Sequence, residues 1–318
     1  MKLPPPVNRM AIQAAADRIR THVRHTPLMR LPGAALGLPV AEVWLKLEHL
    51  QRSGSFKARG MFNRILQCLH AGQVPDAGVL VASGGNAGIA VADAAAALRL
   101  RCEVFVPADV PAAKRARLQA LGAHVVAVGA SYADALAACQ LRQQASGALW
   151  MHAYDQPDVV AGAGTLALEI EADAGLPDRV LVSVGGGGLI GGMVAWFEGR
   201  CRVEALEPVG APTLHAARAA GRPVDVSVGG LAADALGARR VGDIAWALNG
   251  HIAASHLVPD EAIRSAQTHL WQALRLAVEP AAALPLAALV SGLIQPMPSE
   301  RVALVLCGAN MDPATLAA

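Results

Sequence analysis

Short apolar runs alternate along this chain with alanine-rich stretches of helical character. The run "GVLVAS" (78–83) has the length and unbroken apolarity of a buried strand, and "NAGIAVADAAAALRL" behind it is rich in helix formers. Next, "CEVFVP" (102–107) predicts a strand and "PAAKRARLQALG" (111–122) a helix that ends at Gly122. A further strand, "HVVAVG" (124–129), precedes the helix "SYADALAACQLRQQA" (131–145). Both "RVLVSVGGGG" (179–188) and "RVALVLCGAN" (301–310) predict strands that run into glycine-bearing loops. Strands alternating with helices imply an α/β fold, a mostly parallel sheet covered on both faces. Functional loops then belong at the carboxyl ends of the strands. The compact β-α-β-α-β block suggests a small domain over 66–150, with 1–65 plus 151–318 forming a larger one.

Composition narrows the function. The 318 residues suffice for one large domain or two ordinary ones. A net charge of +2 with no lysine- or arginine-rich run argues against a nucleic-acid binder. Apolar residues make up 54% of the chain, which raises the question of a membrane. Residues 180–197 contain six glycines, however, and residues 280–299 are broken by Pro285, Pro296 and Pro298. Neither is an unbroken span of about 20 apolar helix formers. The N-terminus shows no apolar core followed by a cleavage site, so no secretory signal is expected. The cysteines, at 68, 102, 139, 201 and 307, form no Cys-x-x-Cys pair, and the histidines form no metal-binding spacing. Neither a disulfide framework nor a metal site is expected, and a reducing cytoplasm is the natural location.

Four loops carry candidate chemistry. "VSVGGGGLIGGM" follows a strand and opens a helix, and the amides of such a glycine loop suit a phosphate. Gly186, Gly188 and Gly191 also satisfy the Gly-x-Gly-x-x-Gly pattern, with Glu204 or Glu207 about 20 residues on, so an NAD-dependent oxidoreductase is an alternative. "SGGNAG" (83–88) could grip a carboxylate or phenolate through Ser83, Asn86 and nearby amides, or could simply cap a helix. "LCGAN" (306–310) ends a strand and brings Cys307 to the same crevice. In "LKLEHLQRSGSFKARG" (45–60), Ser55 is a plausible N-cap for a helix whose apolar face includes Phe56, Met61, Phe62, Ile65, Leu66 and Leu69. That places Lys57 in the first turn, where the helix dipole lowers an amine's pKa, as a Schiff-base lysine needs. Pairing of Lys57 with Glu48 is the plainer alternative.

Together, "KLEHLQRSGSFKARG", "SGGNAG", "SVGGGGLIGG", "ALEPVGA", "VEPAAALPLAAL" and "LCGAN" resemble, in order and over nearly the whole chain, the serine/threonine dehydratases. These are fold type II pyridoxal-phosphate enzymes, similar to tryptophan synthase β. The resemblance implies two doubly wound open-sheet domains with the cofactor between them, and commonly a homodimer. It implies Lys57 as the Schiff-base lysine and general base, with Phe56 packed beside the ring. Asn86 would bond the 3′ oxygen, and Gly185, Gly186, Gly187 and Gly188 the phosphate. Ser83, Gly84, Gly85 and Asn86 would hold the substrate carboxylate, with Ser83 also counted as catalytic. Cys307 would face the pyridine nitrogen. A thiol protonates that nitrogen less well than a carboxylate would, which favours β-elimination. The implied reaction converts L-serine or L-threonine to pyruvate or 2-oxobutyrate and ammonia. Another β-eliminating or racemising enzyme on a hydroxy amino acid, such as 3-hydroxyaspartate, and a cofactor-binding protein without turnover are alternatives.

The chain departs from racemase-like relatives in two places. Gly84 stands where a racemase would carry a second, acidic serine, so poor racemisation is expected. In "EPVGAPT", Glu207 and Ala211 match a divalent-cation site, but Thr213 replaces its Asp. A Mg²⁺ or Ca²⁺ site is therefore not expected, although a monovalent cation is compatible, and Glu207 is left free to serve near the substrate hydroxyl. The chain stops soon after Asn310, without a regulatory domain, which suggests a catabolic role.

Overall fold

A computed structural model describes residues 7–316. In chain order the strands are β1 (Leu28–Pro32), β2 (Glu42–Lys46), β3 (Val79–Ala82), β4 (Cys102–Val106), β5 (His124–Ala127), β6 (Leu149–Trp150), β7 (Arg179–Ser183), β8 (Arg202–Pro208), β9 (Ala254–Val258) and β10 (Arg301–Val305). They form a six-stranded sheet, β1-β2-β10-β7-β8-β9, and a four-stranded sheet, β5-β4-β3-β6. The β1–β2 pair is antiparallel, and all the other pairs are parallel. The small sheet uses only strands between 79 and 150, and the large one uses strands on either side. We propose to treat each sheet with its helices as one domain; the expected boundary at 65/66 falls inside the helix Lys57–His70.

The unbroken apolar runs became strands as expected. Strands β1, β2, β8 and β9 were hidden because charged or polar residues interrupt them. In β8 the interruptions are Glu204 and Glu207, and both are fully buried. A buried carboxylate must be bonded, and Glu204 is engaged by Arg179, Arg202 and His256. The proline-broken segment 280–299 supplies a core helix, Pro280–Val290, with Pro280 in its first turn. None of the described helices is long and apolar enough to cross a membrane.

Helix Lys57–His70 starts without a side-chain cap, and Phe56 rather than Ser55 precedes it. Ser55 is extended (φ −161°) and bridges to Gly308. Its buried hydroxyl has no partner among the described residues. The helix reaches the small-sheet core through Ala58, Met61, Phe62, Ile65 and Leu66.

Its other side meets the helix Pro157–Ala174 at backbone distance. A Cβ on Gly162 would come within 2.5 Å of Arg59 O, and one on Gly60 within 2.6 Å of Val159 O. The same middle helix touches the helix Gly188–Phe197, where a Cβ on Gly192 would lie 2.5 Å from Gly164 N. Arg59 locks the first contact electrostatically. It is 1% exposed and holds Glu48 and Glu169 at 2.7 Å each, while the buried Lys46 ammonium adds a 2.7 Å contact to Glu169. These partners outweigh the burial cost of the Glu169 carboxylate and hold its pKa below the usual value.

Breaking a buried network by removing one partner leaves uncompensated charge and costs about 3–5 kcal/mol. Arg59→Met is therefore expected to lower unfolding stability by about that amount. Urea denaturation of the cofactor-free protein measures it.

Candidate active site

Three strand ends supply the site: β3 ends before Ser83, β7 before the glycine loop and β10 before Cys307. The chain after β2 contributes Phe56 and Lys57. These segments form a crevice lined by Phe56, Lys57, Asn86, Gly185, Gly186, Gly187, Gly188 and Cys307. Ser83, Gly84 and Gly85 directly precede Asn86 in the chain but are not among the residues that line the crevice, and Gly85 N–H donates to Ser83 Oγ at 3.3 Å.

Glu207 also lies outside the lining. Its carboxylate accepts bonds from Leu214 N–H (2.7 Å), His215 N–H (2.8 Å) and Ser255 O–H (3.1 Å), with Thr213 Oγ1 at 3.0 Å. It is not part of the crevice lining, so a role at the substrate hydroxyl has no geometric support. The structure also weakens the dinucleotide reading, because Glu204 and Glu207, the two acids it needs, are both committed to internal partners.

Beyond the expected residues, Glu279 and Tyr154 are among those that line the crevice. Glu279 takes Asn86 Nδ2–H on both oxygens (2.8 and 3.0 Å) and Asn310 N–H at 3.2 Å. Asn310 Nδ2 in turn donates to Asn86 Oδ1 at 2.6 Å. The asparagine at the start of the helix Asn86–Ala97 is thus fixed by two residues of the larger sheet's side. A carboxylate directly ahead of proline in the otherwise apolar "VEPAAALPLAAL" was the available signal for Glu279. No local pattern marks Tyr154, whose ring lies against the glycine loop.

Burial dominates the electrostatics. It pulls the Lys57 amine down to about 8, a shift that neighbouring Cys307 and Glu279 only partly offset. The expected direction therefore holds, but desolvation rather than the helix dipole is the leading cause. Lys57 Nζ donates to Ala153 O at 2.7 Å. Burial also pushes the Cys307 thiol well above its usual value, reinforced by Glu279, so the thiol stays protonated. Glu279 rises to about 7, again mainly through burial.

The glycine loop fits a phosphate. Among the described residues, none accepts a hydrogen bond from the amides of Gly185, Gly186, Gly187 or Gly188. A Cβ on Gly186 would lie 2.3 Å from the Tyr154 ring, and one on Gly188 would lie 2.8 Å from Tyr154 O. A row of open amides at the start of the helix Gly188–Phe197 is a site for an anion. With the desolvated Lys57 amine lining the same crevice, the residues present suit pyridoxal phosphate.

Two open α/β sheets with a desolvated lysine and an anion cradle between them define a fold type II pyridoxal-phosphate enzyme. The chain belongs to the pyridoxal-phosphate dependent enzyme family, which matches residues 19–308. It is 34% identical over 313 residues to an L-threonine ammonia-lyase of Geobacter sulfurreducens, covering 96% of this chain and 76% of that protein. It is 34% identical over 317 residues to a phenylserine dehydratase of Ralstonia pickettii, covering 96% and 94% of the two chains. The solved structure of maize serine racemase superposes with a TM-score of 0.90 at 30% identity, covering 98% of this chain and 96% of that one.

Two outcomes test this geometry. Gly187 has φ +90°, and an added Cβ would lie 2.5 Å from Ala245 Cβ. A left-handed non-glycine residue costs about 1–2 kcal/mol, so Gly187→Ala is expected to weaken pyridoxal phosphate binding by roughly tenfold or more in an absorbance titration. Only a neutral amine attacks an aldehyde. With Lys57 at about 8, covalent uptake of pyridoxal phosphate by cofactor-free protein should rise with pH through about 8 and then level off. An ordinary lysine would keep gaining up to about 10.4.

Proposed function

We propose that the protein is a pyridoxal-phosphate-dependent ammonia-lyase that eliminates the β-hydroxyl of L-serine or L-threonine. The products are pyruvate or 2-oxobutyrate and ammonia, with water lost on elimination and regained on hydrolysis of the released enamine. The observation that carries this reading is the protonated Cys307 thiol, buried in the same crevice as Lys57. The names of the Geobacter and Ralstonia relatives point the same way.

When bound, pyridoxal phosphate supplies an aldehyde that condenses with amines and a ring that takes up electron density from Cα. Lys57 is the proton carrier in this assignment. Its lowered pKa lets the neutral amine accept the Cα proton near neutral pH. Ser83 and the amides of Gly84, Gly85 and Asn86 receive the substrate carboxylate. Phe56 would pack against the ring, and Asn86, held by Glu279 and Asn310, would face its phenolic edge. Cys307 would lie at the ring nitrogen and, as a neutral thiol, would not drive that nitrogen to its protonated form. Electron density gathered at Cα then leaves by expelling the β-substituent. Gly84 offers no acid on the opposite face, which works against racemisation.

A larger β-substituent is a second reading with an observation of its own. Ala235, Glu279 and Ala281 are shared between the crevice and a neighbouring cavity of about 360 Å³. Leu231, Pro280 and Met311 give that cavity apolar walls. The Ralstonia relative's name fits such a chamber. We further take the working form to be a cytoplasmic homodimer.

The purified protein should be yellow and be bleached by borohydride, and Lys57→Ala should abolish the covalent adduct. Its 2-oxo acid production should be measured with L-serine, L-threonine, 3-hydroxyaspartate and 3-phenylserine. Turnover of serine or threonine is the expected result. Selective turnover of 3-phenylserine would establish the second reading, and no 2-oxo acid from any of the four would defeat both.

A further inference from the structure

The glycine cradle is aimed from behind. A peptide unit is planar, so its C=O and the next residue's N–H point in opposite directions. Gly187 O accepts from Gly191 N–H at 2.8 Å and Gly186 O from Gly242 N–H at 2.9 Å. Gly185 O accepts from the Thr213 hydroxyl at 2.5 Å. Three consecutive carbonyls are thus held away from the crevice, which turns the N–H groups of Gly186, Gly187 and Gly188 towards it. Two of the anchors are backbone amides. Thr213 is the one that depends on a side chain.

We propose that Thr213 is a positioning residue of the phosphate cradle, its hydroxyl fixing the Gly185–Gly186 peptide so that the Gly186 N–H faces the anion. The proposal rests on the cofactor assignment and is independent of the substrate.

Thr213 is fully buried at the start of the helix Thr213–Ala220. It is itself held in place, because the Glu207 carboxylate binds the first amides of that helix through Leu214 and His215 and ties them to Ser255 on β9. A hydroxyl has one proton, and the shorter of its two contacts goes to Gly185 rather than to Glu207. Glu207 therefore acts at one remove from the cofactor by holding the residue that aims the loop.

Thr213→Val keeps the shape and removes the donor. Pyridoxal phosphate and pyridoxal, which lacks the phosphate, are titrated into cofactor-stripped protein and followed by absorbance. The valine protein should bind pyridoxal phosphate about five- to tenfold more weakly, the worth of one neutral hydrogen bond. Its affinity for pyridoxal should stay unchanged, and Thr213→Ser should restore the wild-type ratio. Should the valine protein not fold, Thr213→Ala removes the same hydroxyl and is read by the same ratio. Equal weakening for both ligands, no weakening for either, or a serine protein that behaves like the valine one overturns the proposal. Wild-type protein that takes up neither ligand overturns the cofactor assignment as well.

Discussion

The site depends on how closely three helices approach one another. Helix Pro157–Ala174 touches the helix that begins at Lys57 on one side and the helix that begins at Gly188 on the other. Both contacts are backbone against backbone, through Gly60 with Gly162 and Gly164 with Gly192. The reactive amine and the anion cradle are thus set at a fixed separation by main-chain contact, without a flexible side chain between them. The buried Arg59–Glu48–Glu169–Lys46 network closes the first contact from below. A side chain at any of these glycines would move one end of the crevice relative to the other.

Within that frame, dehydration sets the chemistry. The same burial lowers the Lys57 amine and raises the Cys307 thiol and the Glu279 carboxyl. In each case the neutral form is favoured, because a low-dielectric crevice penalises charge. The result is a base that can take a proton near neutrality beside a thiol that keeps its own. Glu279 links this pair to the small sheet through Asn86, so the electrostatics and the placement of the two sheets share residues.

What the sequence made legible follows from how local each signal is. Lys57, Asn86, the tetraglycine turn and Cys307 could all be placed, because each sits where a strand ends or a helix starts. Loop residue types at such points speak directly about chemistry. Glu207 was misjudged because a motif gives residue identity and not direction. Its side chain leaves β8 towards helix Thr213–Ala220 and is saturated there. Ser55 looked like a helix cap, but its pairing with Gly308, more than 250 residues away, is a long-range contact that no local pattern reports. Strand β8 escaped in part for the same reason: Arg179, His256 and Ser255, which help to make Glu204 and Glu207 tolerable in a core, come from distant segments. Tyr154 became a wall of the site only because β6 ends where the glycine loop arrives.

Among the described residues, no guanidinium lines the crevice, so the proposed cradle would hold its anion with neutral amide dipoles. Among the described residues that line it, Lys57 is the one amine, and it is the group proposed for the covalent link to the cofactor. Dipoles act over a few ångströms, well inside the Debye length of about 8 Å at physiological ionic strength. Cofactor retention should consequently be nearly indifferent to added salt, and loading should proceed without long-range electrostatic attraction.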